Sequence, residues 1–260
     1  MTEKYLVSAR LRSHRDILLF EFERSKVIVI GCDSAGGIGP KPLDMVKVDG
    51  YTLGRFTARV ALMEVLSTGA KPLCVVNTLS VELEPTGTEI LRGVKEEARK
   101  AGLDPALAVT GSSEKNVPVK QTGIGVTVIG VAKKSLLKIG NSKPSDVIIA
   151  IGIPCFGEEV ISAEKQNLIA EIDDLLTILK LNFVHEIVPV GSKGIANEIE
   201  VMAKDSHLHL KLNPQAKVNL RKSAGPATVI LASLPNDAVN ELKKFVNKPV
   251  NVVGYLYESP

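Results

Sequence analysis

The chain's 260 residues are 45 % hydrophobic and 23 % charged, a balance that supplies a proper core and excludes a disordered chain. Its 32 Lys and Arg against 29 Asp and Glu give a formal net charge of +3, and aromatics are only 4 % with no Trp, so neither a basic face nor a stacking platform points to nucleic acid. No run of about eighteen apolar residues occurs, which excludes a helical membrane span, and the charged start MTEKYLVSARLRSHRD lacks the apolar block of a secretion signal, which points to the cytoplasm.

In chain order, residues 17–22 and 26–31 are short β-prone runs. The glycine-rich segment Cys32-Asp-Ser-Ala-Gly-Gly-Ile-Gly-Pro-Lys41 follows, then a β-prone stretch at 43–48. Between 53 and 68, Phe56, Val60, Met63 and Leu66 recur at helical spacing, and Gly69 closes the segment as a helix C-terminal glycine. Residues 72–80 predict a strand, and Thr86-Gly-Thr-Glu89 is a capping-box pattern that opens a helix ending at Gly102. Residues 106–109 predict a short strand running into the polar turn Thr110-Gly-Ser-Ser-Glu114, and 123–132 a strand whose glycines imply close backbone packing. After a linker-like stretch at 133–144 the pattern restarts: a strand at 146–152, one long helix at 163–180, a strand at 186–190, and a helix through Ala196, Ile199 and Met202. A strand at 227–232, a helix at 236–246 and a strand at 250–257 complete it. Both halves share this rhythm, which predicts an α+β fold in two domains, 1–140 and 141–260.

Several familiar sites are excluded. Cys32, Cys74 and Cys155 lie far apart with no C-x-x-C pair and read as buried free thiols. His207 and His209 alternate in HLHLKL, on one face of a predicted strand, without the further ligands a zinc site needs. Gly36-Gly-Ile-Gly39 is followed by Pro40-Lys-Pro42 and β-prone sequence, not by the helix a dinucleotide fingerprint requires. No P-loop string occurs, and His14-Arg-Asp16 matches the start of a protein-kinase catalytic loop without its Asn or a D-F-G.

Three acidic positions stand out. Asp33 ends a β-prone run at the mouth of the glycine segment, which also carries Lys41. A carboxylate, backbone N–H groups and a lysine are the parts that hold Mg²⁺ and a triphosphate; a glycine-rich surface turn has the same composition. Glu64 falls late on the predicted helix between Met63 and Val65, as a ligand or at the edge of the core face. Glu114 follows a hydroxyl-rich turn that helix capping explains equally well.

Taken in order, these pieces resemble the ATP-binding superfamily of aminoimidazole-ribonucleotide synthetase, thiamine-monophosphate kinase and selenophosphate synthetase. Cys32-Asp-Ser-Ala35 resembles the Asp-Asp-Ala-Ala string of the thiamine kinases, and Gly37-Ile-Gly-Pro-Lys41 the synthetases' Gly-Val-Gly-Thr-Lys. Ala61-Leu-Met-Glu-Val-Leu-Ser-Thr-Gly-Ala-Lys-Pro72 is similar to the family's Asn-Asp helix ending in Gly-Ala-x-Pro, with Glu64 in the place of its metal-binding Asp. Thr110-Gly-Ser-Ser113 stands where the family has Gly-Gly-Asp/Glu-Thr, so the acidic residue there has become Ser112. Ser145-Asp146 and Gly191-Ser-Lys-Gly-Ile-Ala196 resemble the Gly-Asp and Gly-Gly-Leu strings of the second domain. Phe56-Thr-Ala-Arg-Val-Ala-Leu-Met-Glu64 and Gly111-Ser-Ser-Glu-Lys-Asn116 look most like the α-ribazole kinases of cobamide salvage.

The resemblance implies a two-domain subunit whose N-terminal sheets pair in a homodimer, and a site for ATP and Mg²⁺. Asp33, Glu64 and Glu114 would hold the metal, with Glu114 replacing the carboxylate lost at Ser112. Asp33 and Lys41 would be the catalytic pair, with Lys41 on phosphate, and Gly36, Gly37, Gly39, Gly111, Ser112 and Ser113 would surround the nucleotide. The acceptor it implies is a small-molecule riboside, α-ribazole, phosphorylated at its 5′-hydroxyl, with Phe56 against the base and Arg59 and Asn116 at the ribose. A synthetase of the same superfamily and a non-catalytic nucleotide-binding regulator are the other functions compatible with the pattern.

Overall fold

The structure, a computed structural model, describes residues 10–258. β1 (Arg10–His14), β2 (Ile17–Glu23) and β3 (Lys26–Gly36) form an antiparallel meander in which Ile17, Leu19, Val27 and Val29 alternate onto a buried face. β3 runs on through Asp33 to Gly36, so the glycine segment begins as sheet. β4 (Ile38–Gly39) and β5 (Val46–Lys47) make a short parallel pair. Helix α1 (Gly50–Ser67) starts at Asp49, whose carboxylate accepts the Thr52 N–H at 2.6 Å, and is buried on almost every side. β6 (Lys71–Leu79), α2 (Thr88–Lys100), α3 (Pro105–Ala108), β7 (Val109–Ser113) and β8 (Gly123–Lys133) complete the first half.

The six strands are ordered β1-β2-β3-β8-β6-β7. Both helices α1 and α2 meet through glycine. A Cβ on Gly54 would lie 2.0 Å from the Ile90 carbonyl oxygen, and one on Gly93 2.1 Å from that of Tyr51. The sheet's opposite face is only partly covered, and apolar residues cross it in register. Leu11, Phe20, Ile28 and Val131 form one row, and Leu18, Ile30, Ile129 and Cys74 the next.

The second half comprises β9 (Asp146–Ile151), α4 (Glu159–Lys165), α5 (Ile172–Leu179), β10 (Glu186–Pro189), α6 (Gly194–Asp205), β11 (His209–Leu212), β12 (Ile230–Pro235), α7 (Val239–Leu242) and β13 (Val250–Tyr257). Its five strands form an antiparallel sheet, β10-β12-β9-β13-β11, with β9 buried on both faces. Val147, Ile149 and Ile151 pack into the core that also holds Leu62 of α1 and Leu175 of α5, whereas Ile148 and Ala150 pack with Ile195, Ile199 and Met202 of α6. The linker-like stretch is pinned rather than loose: the buried Glu186 carboxylate accepts the Gly140 N–H at 2.8 Å and the Ser142 hydroxyl at 2.7 Å.

Several local expectations are corrected. The helix expected over 163–180 is two, because Asn167 turns left-handed (φ 59°) after α4 and Glu171 with Asp174 forms a reciprocal cap that starts α5. The Thr86 capping box does not form: its hydroxyl donates to Glu82 within a turn, Leu83–Gly87, and α2 starts without a side-chain cap. Residues 106–109 lie mainly in α3, opened by Pro105 and by Asp104 accepting the Ala106 N–H, and the expected polar turn is the strand β7. At 43–48 only β5 is strand, because Asp44 folds the segment back by accepting from Lys41 N–H and from Thr122. His207 sits in a turn at φ 56°, outside β11, so the two histidines share no strand face. Left-handed Ala227 delays the next strand to β12, and the helix expected over 236–246 shortens to a 3₁₀ turn, Asn236–Ala238, and α7. Of the thiols, Cys155 is buried, Cys74 half-buried and Cys32 exposed.

Candidate active site

A cavity of ≈ 890 Å³ opens between the first sheet, one stripe of α1 and second-half segments around 157–161, 190–192 and 225–227. Leu53, Phe56, Thr57, Val60 and Glu64 recur at three- and four-residue spacing, which puts them on one side of α1 facing it. Asp33 and Gly36 come from β3. Asp33 follows Val29 and Gly31 in the two-residue alternation, and therefore points to the α1 side. Gly31 is what lets helix and strand close up there, since a Cβ on it would lie 3.1 Å from Val65 Cγ2 and 3.3 Å from Glu64 Cβ.

Both carboxyls are perturbed. Burial pushes Asp33 up to about 6, the Ser34 N–H opposing it and the charge of Asp16 adding to it. Burial pushes Glu64 up to about 7; the Arg15 guanidinium pulls it back, while Asp16, Glu198 and Asp33 push in the same direction as burial. Arg15 Nη2 lies 3.3 Å from Glu64 Oε1 and its Nε 3.0 Å from Glu198 Oε2. The other oxygen, Glu64 Oε2, is buried without a hydrogen-bond partner.

An orphaned buried carboxylate oxygen beside a second, desolvated carboxylate suits a divalent cation. Among the described residues no group of three His, Cys, Asp or Glu could hold an ion alone. Mg²⁺ is ordinarily held by one or two carboxylates with waters and phosphate oxygens, so this pair fits Mg²⁺ arriving on a polyphosphate.

The other expected site residues disperse. Phe56 edges the cavity with its ring 4.6 Å from the Arg59 guanidinium. Arg59 has no exposed surface and does not line the cavity: it pairs with the buried Glu97 at 3.2 Å and with Glu164 at 3.1 Å, so the expected ribose contact gives way to a core ion pair. Lys41 Nζ is held by Glu82 at 2.6 Å, outside the cavity lining. Gly36 borders the cavity, Gly37 borders an adjoining hollow, and Gly39 packs against Thr122. Gly111, Ser112 and Ser113 line a separate hollow of ≈ 340 Å³ along the edge strand β7. The Glu114 carboxylate accepts the N–H groups of Asn116 at 2.6 Å and Val117 at 3.3 Å, which hold it below the usual carboxylate range, and neither Glu114 nor Asn116 lines the cavity. Sequence reasoning missed Arg15, Asp16 and Glu198, which are gathered by contacts across 49 and 183 residues that no local pattern announces.

Residues 14–132 match the family model described as AIR synthase related protein, N-terminal domain. The mixed helix-and-sheet architecture is AIR-synthase-like, and the solved structures it resembles bear this out across both halves. The thiamine-monophosphate kinase of Stenotrophomonas maltophilia superimposes with a TM-score of 0.65 at 15 % identity, covering 99 % of this chain and 91 % of that one. A structure described as AaThiL complexed with AMPPCP and TMP gives 0.61 at 14 % identity, covering 94 % and 85 %. In sequence, the selenide, water dikinase of Sulfurimonas denitrificans is 29 % identical over 126 residues, 48 % of this chain and 36 % of that protein. The chain spans between about a third and a half of the length of the curated relatives it matches.

Proposed function

We propose that this protein is an ATP-dependent phosphotransferase that moves the γ-phosphoryl group of ATP to the 5′-hydroxyl of a small riboside, α-ribazole. The observation that carries the reading is Asp33 and Glu64 desolvated in the wall of one cavity, with Glu64 Oε2 lacking any donor. Phosphoryl transfer asks for positioning and neutralisation of oxygen charge rather than covalent help, and two carboxylates able to hold Mg²⁺ answer that need. Mg²⁺, when bound, supplies charge neutralisation at the phosphate oxygens. Similarity to a selenide, water dikinase and to a structure complexed with AMPPCP supports nucleotide use. Lys41 reaches phosphate in this reading by leaving Glu82.

The acceptor is the one the sequence resemblance implies, and the cavity's composition supports it. Leu53, Phe56, Val60, Val160 and Ile161 offer an apolar wall for a flat base, and Ser34 and Ser192 offer hydroxyls to a ribose. The half-exposed apolar rows on the first sheet support a homodimer joined through that face. A division near residue 140 accords with each sheet drawing its strands from one side of that point.

The test incubates the protein with Mg²⁺–ATP and α-ribazole, beside thiamine monophosphate and formylglycinamidine ribonucleotide, and follows ADP and phosphorylated product. ADP formed one-for-one with α-ribazole 5′-phosphate is expected. Turnover of a comparison compound with none of α-ribazole would overturn the acceptor. Free phosphate in place of a phosphorylated product would mark a synthetase.

A further inference from the structure

Asp16 lines the same cavity as Asp33 and Glu64, and it gets there through an arginine. Arg15 and Asp16 are the two residues between β1 and β2. Arg15 adopts φ 51°, a left-handed conformation that is strained for a non-glycine residue. Its side chain offsets that strain with three contacts: Nε to Glu198 Oε2 at 3.0 Å, Nη2 to the Pro189 carbonyl at 2.9 Å, and Nη2 to Glu64 Oε1 at 3.3 Å. The turn is thereby tied to α6 and β10, and Asp16 is held at the cavity's edge with its surface exposed.

Charge accounting then singles Asp16 out. Glu198 balances Arg15, which leaves Asp16, Asp33 and Glu64 lining one cavity. Arg15 occupies one oxygen of Glu64, and the other, on a residue 4 % exposed, has no donor. Glu114, the carboxylate expected to complete the set, is turned to its own backbone. A hydrated divalent cation is the group that relieves three such carboxylates together.

Resting on the Mg²⁺–nucleotide reading above, we propose that Asp16 is the third acidic group of that site, holding the hydrated cation with Asp33 and Glu64. Since no three carboxylates among the described residues cage the ion directly, Asp16 acts on an ion that keeps its waters.

The experiment measures binding of Mn²⁺ in the presence of AMPPCP, by electron paramagnetic resonance of the free ion, for the wild type, Asp16→Asn, Asp16→Ser and Glu114→Gln. Thermal unfolding in EDTA checks that each variant is folded. The expected result is a loss of about 10- to 100-fold in Mn²⁺ affinity for both Asp16 variants, the size typical of groups that act around a bound ion, with Glu114→Gln within about two-fold of wild type. Wild-type binding with unchanged affinity in folded Asp16 variants would overturn the assignment and leave the nucleotide site standing. A wild type that binds no Mn²⁺ with AMPPCP would overturn the nucleotide site itself, and this assignment with it.

Discussion

Arg59 on α1 and Glu97 on α2 are both wholly buried and pair at 3.2 Å, beneath the ring of Phe56. A buried charge is tolerated only when matched, and here the match spreads: Glu97 also meets Arg55 at 3.2 Å and Lys100 at 3.2 Å, and Arg59 reaches Glu164 of α4 at 3.1 Å. The cluster fixes the helix that carries Phe56 and Glu64 against the segment that forms the far cavity wall.

Removing one partner from such a pair leaves an uncompensated buried charge. Arg59→Ala is expected to lower stability by about 3 kcal/mol, the lower end of the range for broken buried pairs, because Arg55 and Lys100 remain on Glu97. Urea unfolding of wild type and variant checks this, and a midpoint within error of wild type would contradict it. The folded Glu97 carboxyl is desolvated yet held below its ordinary value of 4.5 by Arg59, so the stabilisation is present above that pH and fades as pH falls through it.

Asp33 is expected to behave oppositely. Its carboxyl rises from 3.8 to about 6 on folding, worth roughly 3 kcal/mol at most, and no ion pair among the described residues relieves it. Such a group lets the fold keep full stability below pH 3.8 and lose it as pH rises through about 6. In EDTA, Asp33→Asn should therefore raise Tm by several degrees at pH 8 and leave it unchanged near pH 3.5, and with Mg²⁺–ATP it should abolish turnover. Equal shifts at both pH values would contradict the origin assigned here.

The helix crossing at Gly54 and Gly93 leaves no room for a methyl group. Gly93→Ala would set a Cβ 2.1 Å from the Tyr51 carbonyl oxygen and 2.7 Å from the Arg55 nitrogen, both backbone atoms. The helices must separate, at an expected cost of about 3 kcal/mol or more, and α1 would carry Glu64 with it. Calorimetry of the variant checks the loss, and an unaltered Tm would show that α1 and α2 are farther apart.

The apolar rows on the first sheet give a prediction about association. Ile30 pairs with Leu18 and Ile129 in the middle of that face. Ile30→Lys should convert a dimer to a monomer in light scattering at micromolar concentration. A wild type that is monomeric there would contradict the dimer.

Apolar spacing made much of the scaffold legible: the half-buried strands β6 and β8, the strand β13 and the almost fully buried helix α1 are found close to where it puts them. It failed where short polar groups decide. Asn167 and the Glu171–Asp174 cap split one apolar stripe into two helices, and Asp104 with Pro105 started a helix where four apolar residues suggested a strand. Asp33 and Glu64 stood out in the sequence through strings that resemble those of a known superfamily, and the structure is what brings them to one cavity wall. Arg15, Asp16 and Glu198 were not, because their meeting depends on how the two halves dock. Arg59, expected at the ribose, is instead drawn into the core by Glu97, 38 residues away, a partner that no local pattern announces.

A crystal structure with Mg²⁺ and AMPPCP tests whether ATP binds with its phosphates beside Asp33 and Glu64. The triphosphate is expected in the ≈ 890 Å³ cavity, with the cation on Glu64 Oε2 and the Asp33 carboxylate. A nucleotide seated instead in the hollow along Gly111, Ser112 and Ser113, with the cavity free of phosphate, would contradict it.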